Sequence, residues 1–469
     1  MLYYFIVVDI SANFGAKYSY IQISGFDLTP QILSTMTYSR SDNSPLDRIA
    51  LLISLYFPPE PGGGATTAWN RALILSKIGY SVYVLCGFPS YPTGRVNGEE
   101  YKGKFFYLER MENFTLIRLR LLPIESKGLL KRFILFINFV FLSLIWLPKI
   151  LRISINTELV YALAPNFFSC LIGFIYSKAT KSFFIYEVSA FWPEELVAFR
   201  VNLYFILLYA GKFFVRIAYI LPDMIIVISE LAGEYVNKTY KPKVLVYPLA
   251  IGVEPSRYHL SSKEISRKEL IEKNVLPKFL ENKFIVLYSG VLSKVTNVEN
   301  LILAASKIKN ETDIAFLIIG EGEEKAKLEQ MRRHDKISNL ILLPFQASVF
   351  VPRIIAAADV CVVPLSDEPI YETTVPTKFY DYLACHKPQI GICAGELARL
   401  IESNNIGVTV KAGDIDKLVE TILYLKNSPS TIQLMTQNSA RVLKNFTLDN
   451  LASKFDNVLK KEIINKKLN

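Results

Sequence analysis

Histidine is scarce in this chain. Its three copies, His259, His334 and His386, stand too far apart for any two to share a helical turn, so no histidine metal cluster is encoded locally. The five cysteines, Cys86, Cys170, Cys361, Cys385 and Cys393, are odd in number, scattered and without a CxxC, which argues against both a disulfide framework and a thiolate zinc site. No metal is expected, and the expected compartment is a reducing one, the cytoplasm. Neither a GxGxxG with an acidic residue about 20 positions on nor a GxxxxGK[ST] occurs, so no NAD, P-loop nucleotide or other cofactor is predicted. No stretch interleaves basic with aromatic residues, so nucleic acid is not expected as a partner.

Apolar runs long enough to cross a bilayer are missing too. The most apolar run, Phe133 to Leu147, has fifteen residues and is interrupted by Asn138 and Ser143, short of the roughly 20 that a span needs. Lys131 and Arg132 precede it, and Lys149 and Arg152 follow. The segment reads as a buried or interfacial helix, with peripheral membrane contact expected through residues 131–152 at the inner face of the cell membrane. A second apolar region, Leu203 to Ile228, is broken by Lys212, Arg216 and Pro222-Asp223. Residues 1–48 lack the basic n-region and cleavage site of a signal peptide and read as an appendage, with Met36 an alternative start.

What is present is a greasy, basic, globular chain. Hydrophobic residues make up 51% and charged ones 20%, which excludes wholesale disorder. The net charge of +10, from 53 Lys+Arg against 43 Asp+Glu, suits anionic lipid or phosphorylated substrates. At 469 residues the chain holds three ordinary domains or two of about 200 residues each.

The order of elements favours two. Ile49 to Leu55 is a continuous apolar run of the kind buried on both faces of a parallel sheet. A loop, a helix over Ala68 to Ile78 and a strand over Ser81 to Cys86 follow it. Further strands are predicted at Thr115–Leu119, Leu159–Ala162, Phe183–Glu187 and Met224–Ile228. A charged linker, Ser256 to Asn282, separates them from a second series at Phe284–Tyr288, Ala315–Ile319, Leu340–Leu343, Val360–Pro364 and Gln389–Cys393. Val298, Leu301, Ile302, Ala305 and Ile308 recur at helical spacing between the first two of that series. The predicted fold is α/β, with two Rossmann-like, doubly wound domains over 49–255 and 256–440, facing across a cleft. A C-terminal helix over 441–469 is expected to cross back to the first domain. Ligands in such folds sit beyond the carboxyl ends of the strands.

Four loops there carry candidate chemistry. Gly62-Gly63-Gly64 lies between the first strand and its helix, where backbone N–H groups can approach an anion. Tyr288-Ser289-Gly290 ends a strand, and Lys294 follows four residues after the glycine. Gly320-Glu321-Gly322 makes a tight turn that passes beside a nucleotide or serves only as a turn. In YETTVPTKFYDYLACH (Tyr371 to His386), Pro376 suits the first turn of a helix, Thr373 or Thr374 its cap, and Lys378 and the first-turn amides a diphosphate. Glu372 and Asp381 are expected to flank that pocket and bind sugar or ribose hydroxyls. Asp414-Ile415-Asp416 reads as a helix cap, not a metal site.

In order, FPPEPGGGATTAW (Phe57 to Trp69), FWPEE (Phe191 to Glu195), YSGVLSKVTNVENLILAA (Tyr288 to Ala305), IIGEGEEKAKLE (Ile318 to Glu329), VPTKFYDYLACHKP (Val375 to Pro388) and the stretch Gly395 through Gly407 resemble glycosyltransferase family 4. These are retaining nucleotide-sugar transferases of the GT-B fold, and the likeness is to the colanic-acid and O-antigen branch. The resemblance implies a nucleotide-sugar donor on the second half, a lipid-linked or glycan acceptor on the first, and no required metal. It implies Lys294, Lys378, Glu372 and Asp381 as catalytic residues. Gly62, Gly63, Gly64, Gly290, Gly320, Glu321, Gly322, Phe345, Thr373, Thr374 and Thr377 are implied as donor-binding. Two glutamates that the family spaces eight apart fall on Thr373 and Asp381, with Glu372 one position off register. Ala190, Val291 and Thr296 replace other usual acidic or basic residues. Those departures keep a second expectation open, a catalytically weak nucleotide-sugar-binding subunit of a glycan-assembly complex.

Overall fold

The computed structural model describes residues 48–468, apart from 92, 97, 126–127, 165–166, 192–214, 259–261 and 348. It contains two open sheets. The first has eight strands: β1 (Ile49–Ile53), β2 (Ser81–Gly87), β3 (Phe106–Arg110), β4 (Phe114–Leu119), β5 (Thr157–Leu163), β6 (Phe183–Val188), β7 (Met224–Val227) and β8 (Leu245–Pro248). Their order is β3-β4-β2-β1-β5-β6-β7-β8, parallel throughout except for the antiparallel β3–β4 pair. The second has β9 (Phe284–Ser289), β10 (Ile314–Ile319), β11 (Leu340–Leu343), β12 (Val360–Pro364), β13 (Gln389–Ile392) and β14 (Gly407–Val410). They are parallel in the order β11-β10-β9-β12-β13-β14.

The continuous apolar runs become central strands because helices cover both faces. Successive side chains of a strand point to opposite sides, so Leu51 and Ile53 of β1 enter one core while Ala50 and Leu52 enter the other. In β9 the same alternation sends Ile285 and Leu287 one way and Val286 and Tyr288 the other. The first domain uses helices α1 (Gly63–Lys77), α2 (Leu129–Ile145), α3 (Leu147–Ile153), α4 (Phe167–Thr180) and α5 (Glu230–Thr239). The second uses α6 (Lys263–Glu272), α7 (Glu299–Lys307), α8 (Lys325–His334), α9 (Val351–Ala357), α10 (Thr377–Ala384), α11 (Gly395–Ser403), α12 (Ile415–Lys426) and α13 (Pro429–Leu443). The last helix, α14 (Leu448–Leu468), sends Leu448, Leu451, Ala452, Phe455 and Leu459 into the first domain's core beside Ala68, Ala72 and Leu75 of α1.

Several local expectations change. Residues 256–282 are no mere linker: Leu270, Leu276 and Leu280 of α6 and its exit are buried in the second domain's core. Helix α1 begins at Gly63, five residues before Ala68, because the glycines make its first turn. Strands β3, β8 and β14, which are not among the predicted strands, all lie at sheet edges. Asp414 does cap α12, its carboxylate accepting from Lys417 N at 3.0 Å.

Where the chain passes from one domain to the other and back, the two crossings pair. Val253 and Thr447 form a parallel bridge, with Val253 N donating to Phe446 O at 2.9 Å and Leu448 N to Val253 O at 3.1 Å. From α1, Asn70 Nδ2 donates to Gly252 O at 2.9 Å. The next residue, Arg71, is fully buried and grips Glu187 of β6 through Nε at 2.8 Å and Nη2 at 3.0 Å. The same guanidinium donates to Leu249 O and Ala250 O at 2.7 and 2.8 Å.

Candidate active site at the domain junction

The first domain contributes the loop after β1. Gly62 has φ 115 and precedes α1, whose first two residues, Gly63 and Gly64, are exposed and which has no side-chain cap. Its orphan amides are therefore open to an anion. Glu60 makes the loop rigid. Its buried carboxylate accepts from Phe57 N at 3.4 Å, Ser90 N at 3.0 Å and Tyr91 N at 3.1 Å. Burial pushes the carboxyl's pKa up, against the lowering effect of those amides and of Arg118. Arg118 braces the loop from below, donating to Pro58 O at 2.8 Å and to Glu109 at 2.6 Å. Sequence reading passed over Glu60 and Arg118. The acidic residue inside FPPEPGGG was their only trace.

The second domain contributes three loops that lock together. Gly320 and Gly322 pack on the loop after β9 so closely that a Cβ on either would sit 1.9 Å from Gly290 O or 2.0 Å from Leu292 O. Only glycine fits there. Leu292 N donates to Glu321 O at 2.9 Å, and Glu321 pairs with Lys325 at 2.5 Å. Gly320 N bonds Leu343 O at 3.0 Å, which puts this turn beside the loop carrying Phe345, a ring 45% exposed. Thr296 closes the loop after β9, accepting from Ser293 N at 3.1 Å and donating to Val291 O at 3.0 Å. Lys294 stands exposed on the short 3-10 turn between them.

Helix α10 completes the site. Its N-cap is Pro376, which provides no side-chain bond, so the amides of its first turn are uncapped. Lys378, only 9% exposed, runs from that turn to the end of β9. A Cβ on Gly290 would lie 3.0 Å from Lys378 Cε, and Nζ donates to Tyr288 OH at 3.3 Å. Nζ also lies 4.7 Å from the Tyr288 ring centroid. No carboxylate pairs with this buried ammonium among the described residues. Across the junction, a Cβ on Gly63 would come 3.7 Å from Thr377 Cγ2. The N-termini of α1 and α10, one from each domain, thus meet at one place beside Lys378.

Not every expected residue joins this cluster. Thr373 and Thr374 do not cap α10. They end a separate 3-10 turn, Pro369–Thr373, and the Thr373 hydroxyl donates to Ile370 O at 2.8 Å. Asp381 does not flank the Lys378 pocket with Glu372 as a free carboxylate. It is half-buried and accepts from Tyr258 OH, and burial raises its pKa against the opposing pull of Tyr258, Arg257 and Lys378. One turn of helix separates Lys378 from that carboxyl. Glu372 is exposed, and its carbonyl lies against Gly395, where a Cβ would come within 2.1 Å. Ser229, at the N-cap of α5, donates to Thr373 O at 2.6 Å and ties this turn to the first domain. Of the FWPEE motif, residues 192–195 lie outside the described residues. No group of three or more His, Cys, Asp or Glu that could hold a metal gathers among the described residues.

Two Rossmann-like domains with the carboxyl ends of their parallel strands turned toward one junction define the GT-B class, to which this fold belongs. Within it, residues 268–442 match the family model described as Glycosyl transferases group 1. In sequence the chain is similar to the putative colanic acid biosynthesis glycosyl transferase WcaI of Escherichia coli, 29% identical over 145 residues. That similarity spans 30% of this chain and only about a third, 35%, of the relative. In structure it resembles sucrose-phosphate synthase from Thermosynechococcus elongatus, with a TM-score of 0.69 at 15% identity, over 88% of this chain and 98% of that one. Anabaena HepE, solved in complex with UDP-glucose, gives a TM-score of 0.62 at 15% identity, over 88% of this chain and 99% of that one.

Proposed function

We propose that the protein is a glycosyltransferase that moves a sugar from a nucleoside diphosphate sugar to a glycan or lipid-linked acceptor with retention of anomeric configuration. The observation that carries the reading is Lys378, a buried ammonium without a carboxylate partner among the described residues, set beside two uncapped helix N-termini that meet from opposite domains. A buried cation is costly unless an anion compensates it, and a leaving diphosphate is an anion of the right size for that place. The nucleoside then lies along Gly320–Gly322 and Phe345. Gly62 to Gly64 face the sugar and phosphates, and Lys294 reaches the diphosphate from its exposed turn.

In this reading the acceptor oxygen bonds to the anomeric carbon as the bond from that carbon to the diphosphate oxygen breaks. Both events occur on one face of the sugar, and the acceptor's hydroxyl proton passes to the departing phosphate oxygen. Lys378, Lys294 and the amides of α10 stabilise the negative charge that develops on the leaving group, so charge neutralisation falls to the chain's own groups. HepE, whose structures hold UDP-glucose, makes uridine diphosphate sugars the first donors to try. The test is thermal-shift binding of nucleoside diphosphates and their sugars to the purified protein without divalent metal. Stabilisation by one base series supports the donor pocket, and no shift with any of them sinks it.

The second reading, a binding subunit with little turnover, rests on Thr373. Where the family has a carboxylate, this hydroxyl is engaged with Ile370 O. Nucleotide-sugar binding without hydrolysis or transfer, even with membrane lipid extract supplied, favours it over catalysis.

A further inference from the structure

Helices α2 and α3 present an unusual surface. Leu135, Phe139 and Ser143 turn into the core, so ordinary amphipathic design would make the opposite stripe polar. It is instead apolar: Leu130 is 72% exposed, Ile137 45%, Phe141 60% and Ile145 53%. These four recur at the spacing of one helix face. The two helices meet at an angle of 65°, and at the bend Trp146 packs on Phe106 with ring centroids 4.9 Å apart. Lys149 Nζ lies 4.0 Å from the Phe106 centroid. Lys131 stands at the start of the stripe, 3.9 Å from the half-exposed Glu125, and no acidic residue falls between Leu130 and Ile155.

We propose that this face seats the protein on an anionic bilayer, with the α2 stripe in the headgroup and acyl boundary and Lys131, Lys149 and Arg152 against lipid phosphates. An exposed apolar stripe of this extent marks an interaction site, and its cationic ends select a negatively charged lipid surface. Among the described residues no single helix is long and apolar enough to cross a membrane, and α2 and α3 reach that length only as a pair bent by 65°. Because Leu135, Phe139 and Ile150 of this pair are packed in the first domain's core, we place the outer face on the bilayer. The surface is built by residues outside the donor site, and its test reads binding alone. The glycosyl-transfer reading therefore stands or falls separately.

The full-length protein is sedimented with vesicles of phosphatidylcholine, with and without phosphatidylglycerol. Binding is expected only to the anionic vesicles and weakens in high salt. The double variant Ile137→Asp/Phe141→Asp lowers vesicle affinity by at least about tenfold, and Lys131→Ser lowers it about fivefold. Both variants melt as the wild type does, since these side chains are exposed. Equal binding to neutral vesicles, or full binding by the folded double variant, overturns the proposal. Retention in the membrane after alkaline carbonate washing overturns it in favour of a re-entrant or spanning hairpin. Self-association abolished by Phe141→Asp, without vesicle binding by the wild type, overturns it in favour of a second copy of the chain.

Discussion

Lys378 and Asp381 sit one helical turn apart and do opposite things. Lys378 Nζ has a hydroxyl and an aromatic ring for neighbours, an arrangement that leaves its charge for a ligand. If it neutralises the leaving diphosphate, Lys378→Ala lowers kcat by about 10²- to 10³-fold, the range for removing one preorganised stabiliser of transition-state charge. Nucleoside diphosphate should then also cease to raise Tm. Unchanged turnover in a steady-state assay removes the assignment. Asp381 is held by Tyr258, and burial keeps its carboxyl protonated to higher pH than in the unfolded chain. The native state thus binds the proton more tightly, and ionising the group costs stability as pH rises through and above the ordinary carboxylate range. Asp381→Asn, which keeps an acceptor for Tyr258, is expected to melt above the wild type at neutral pH and level with it in acid below the ordinary aspartate pKa of 3.8. Thermal melts across that range check it. A wild type that gains stability relative to the variant on going from acid to neutral pH would show a carboxylate held charged by a partner instead.

Among the elements, the turns behave as rigid parts, and their glycines say why. Gly395 has φ 68 and opens α11 against the carbonyl of Glu372. Gly395→Ala would strain the backbone and push the turn at Glu372, and with it the lead-in to α10, out of place, at a cost of about 1–3 kcal/mol. The nucleotide-induced thermal shift should shrink even in protein that folds, and a variant with full nucleotide response would detach this turn from the donor pocket. Which elements were readable follows the same physics. Central strands such as β9 and β12 carry unbroken apolar runs, because both faces are buried, and periodicity finds them. Edge strands β3 (FYLER) and β14 (GVTV) are only partly buried, so nothing in their composition separates them from loop. Helix α10 and the glycine turns were legible from Pro376, Lys378 and the Gly-x-Gly spacing. The partner of Asp381 was not, since Tyr258 lies 123 positions away. Nor was the role of Thr373, whose carbonyl is held by Ser229 from the other domain.

Seen as a whole molecule, the two domains are joined through α1 more than through a flexible link. Its N-terminus faces α10, its Asn70 holds one crossing, and its Arg71 holds Glu187 and the carbonyls that lead into that crossing. The Arg71–Glu187 pair is almost fully buried, with side chains 1% and 0% exposed, and Tyr161 OH donates to the same carboxylate at 2.5 Å. In such a place two charges hold each other, and removing one strands the other. Arg71→Met leaves a buried carboxylate with only Tyr161 and should destabilise by about 3–5 kcal/mol. Arg71→Met combined with Glu187→Gln removes both charges and should recover part of that loss, so the two substitutions couple strongly in a double-mutant cycle. Denaturant melts of the four proteins measure this. Additive losses would mean that the carboxylate finds water or another donor once Arg71 is gone. A large coupling would place the pair at the centre of the junction, where a change in either domain is felt by the loop that begins α1 and therefore by the site.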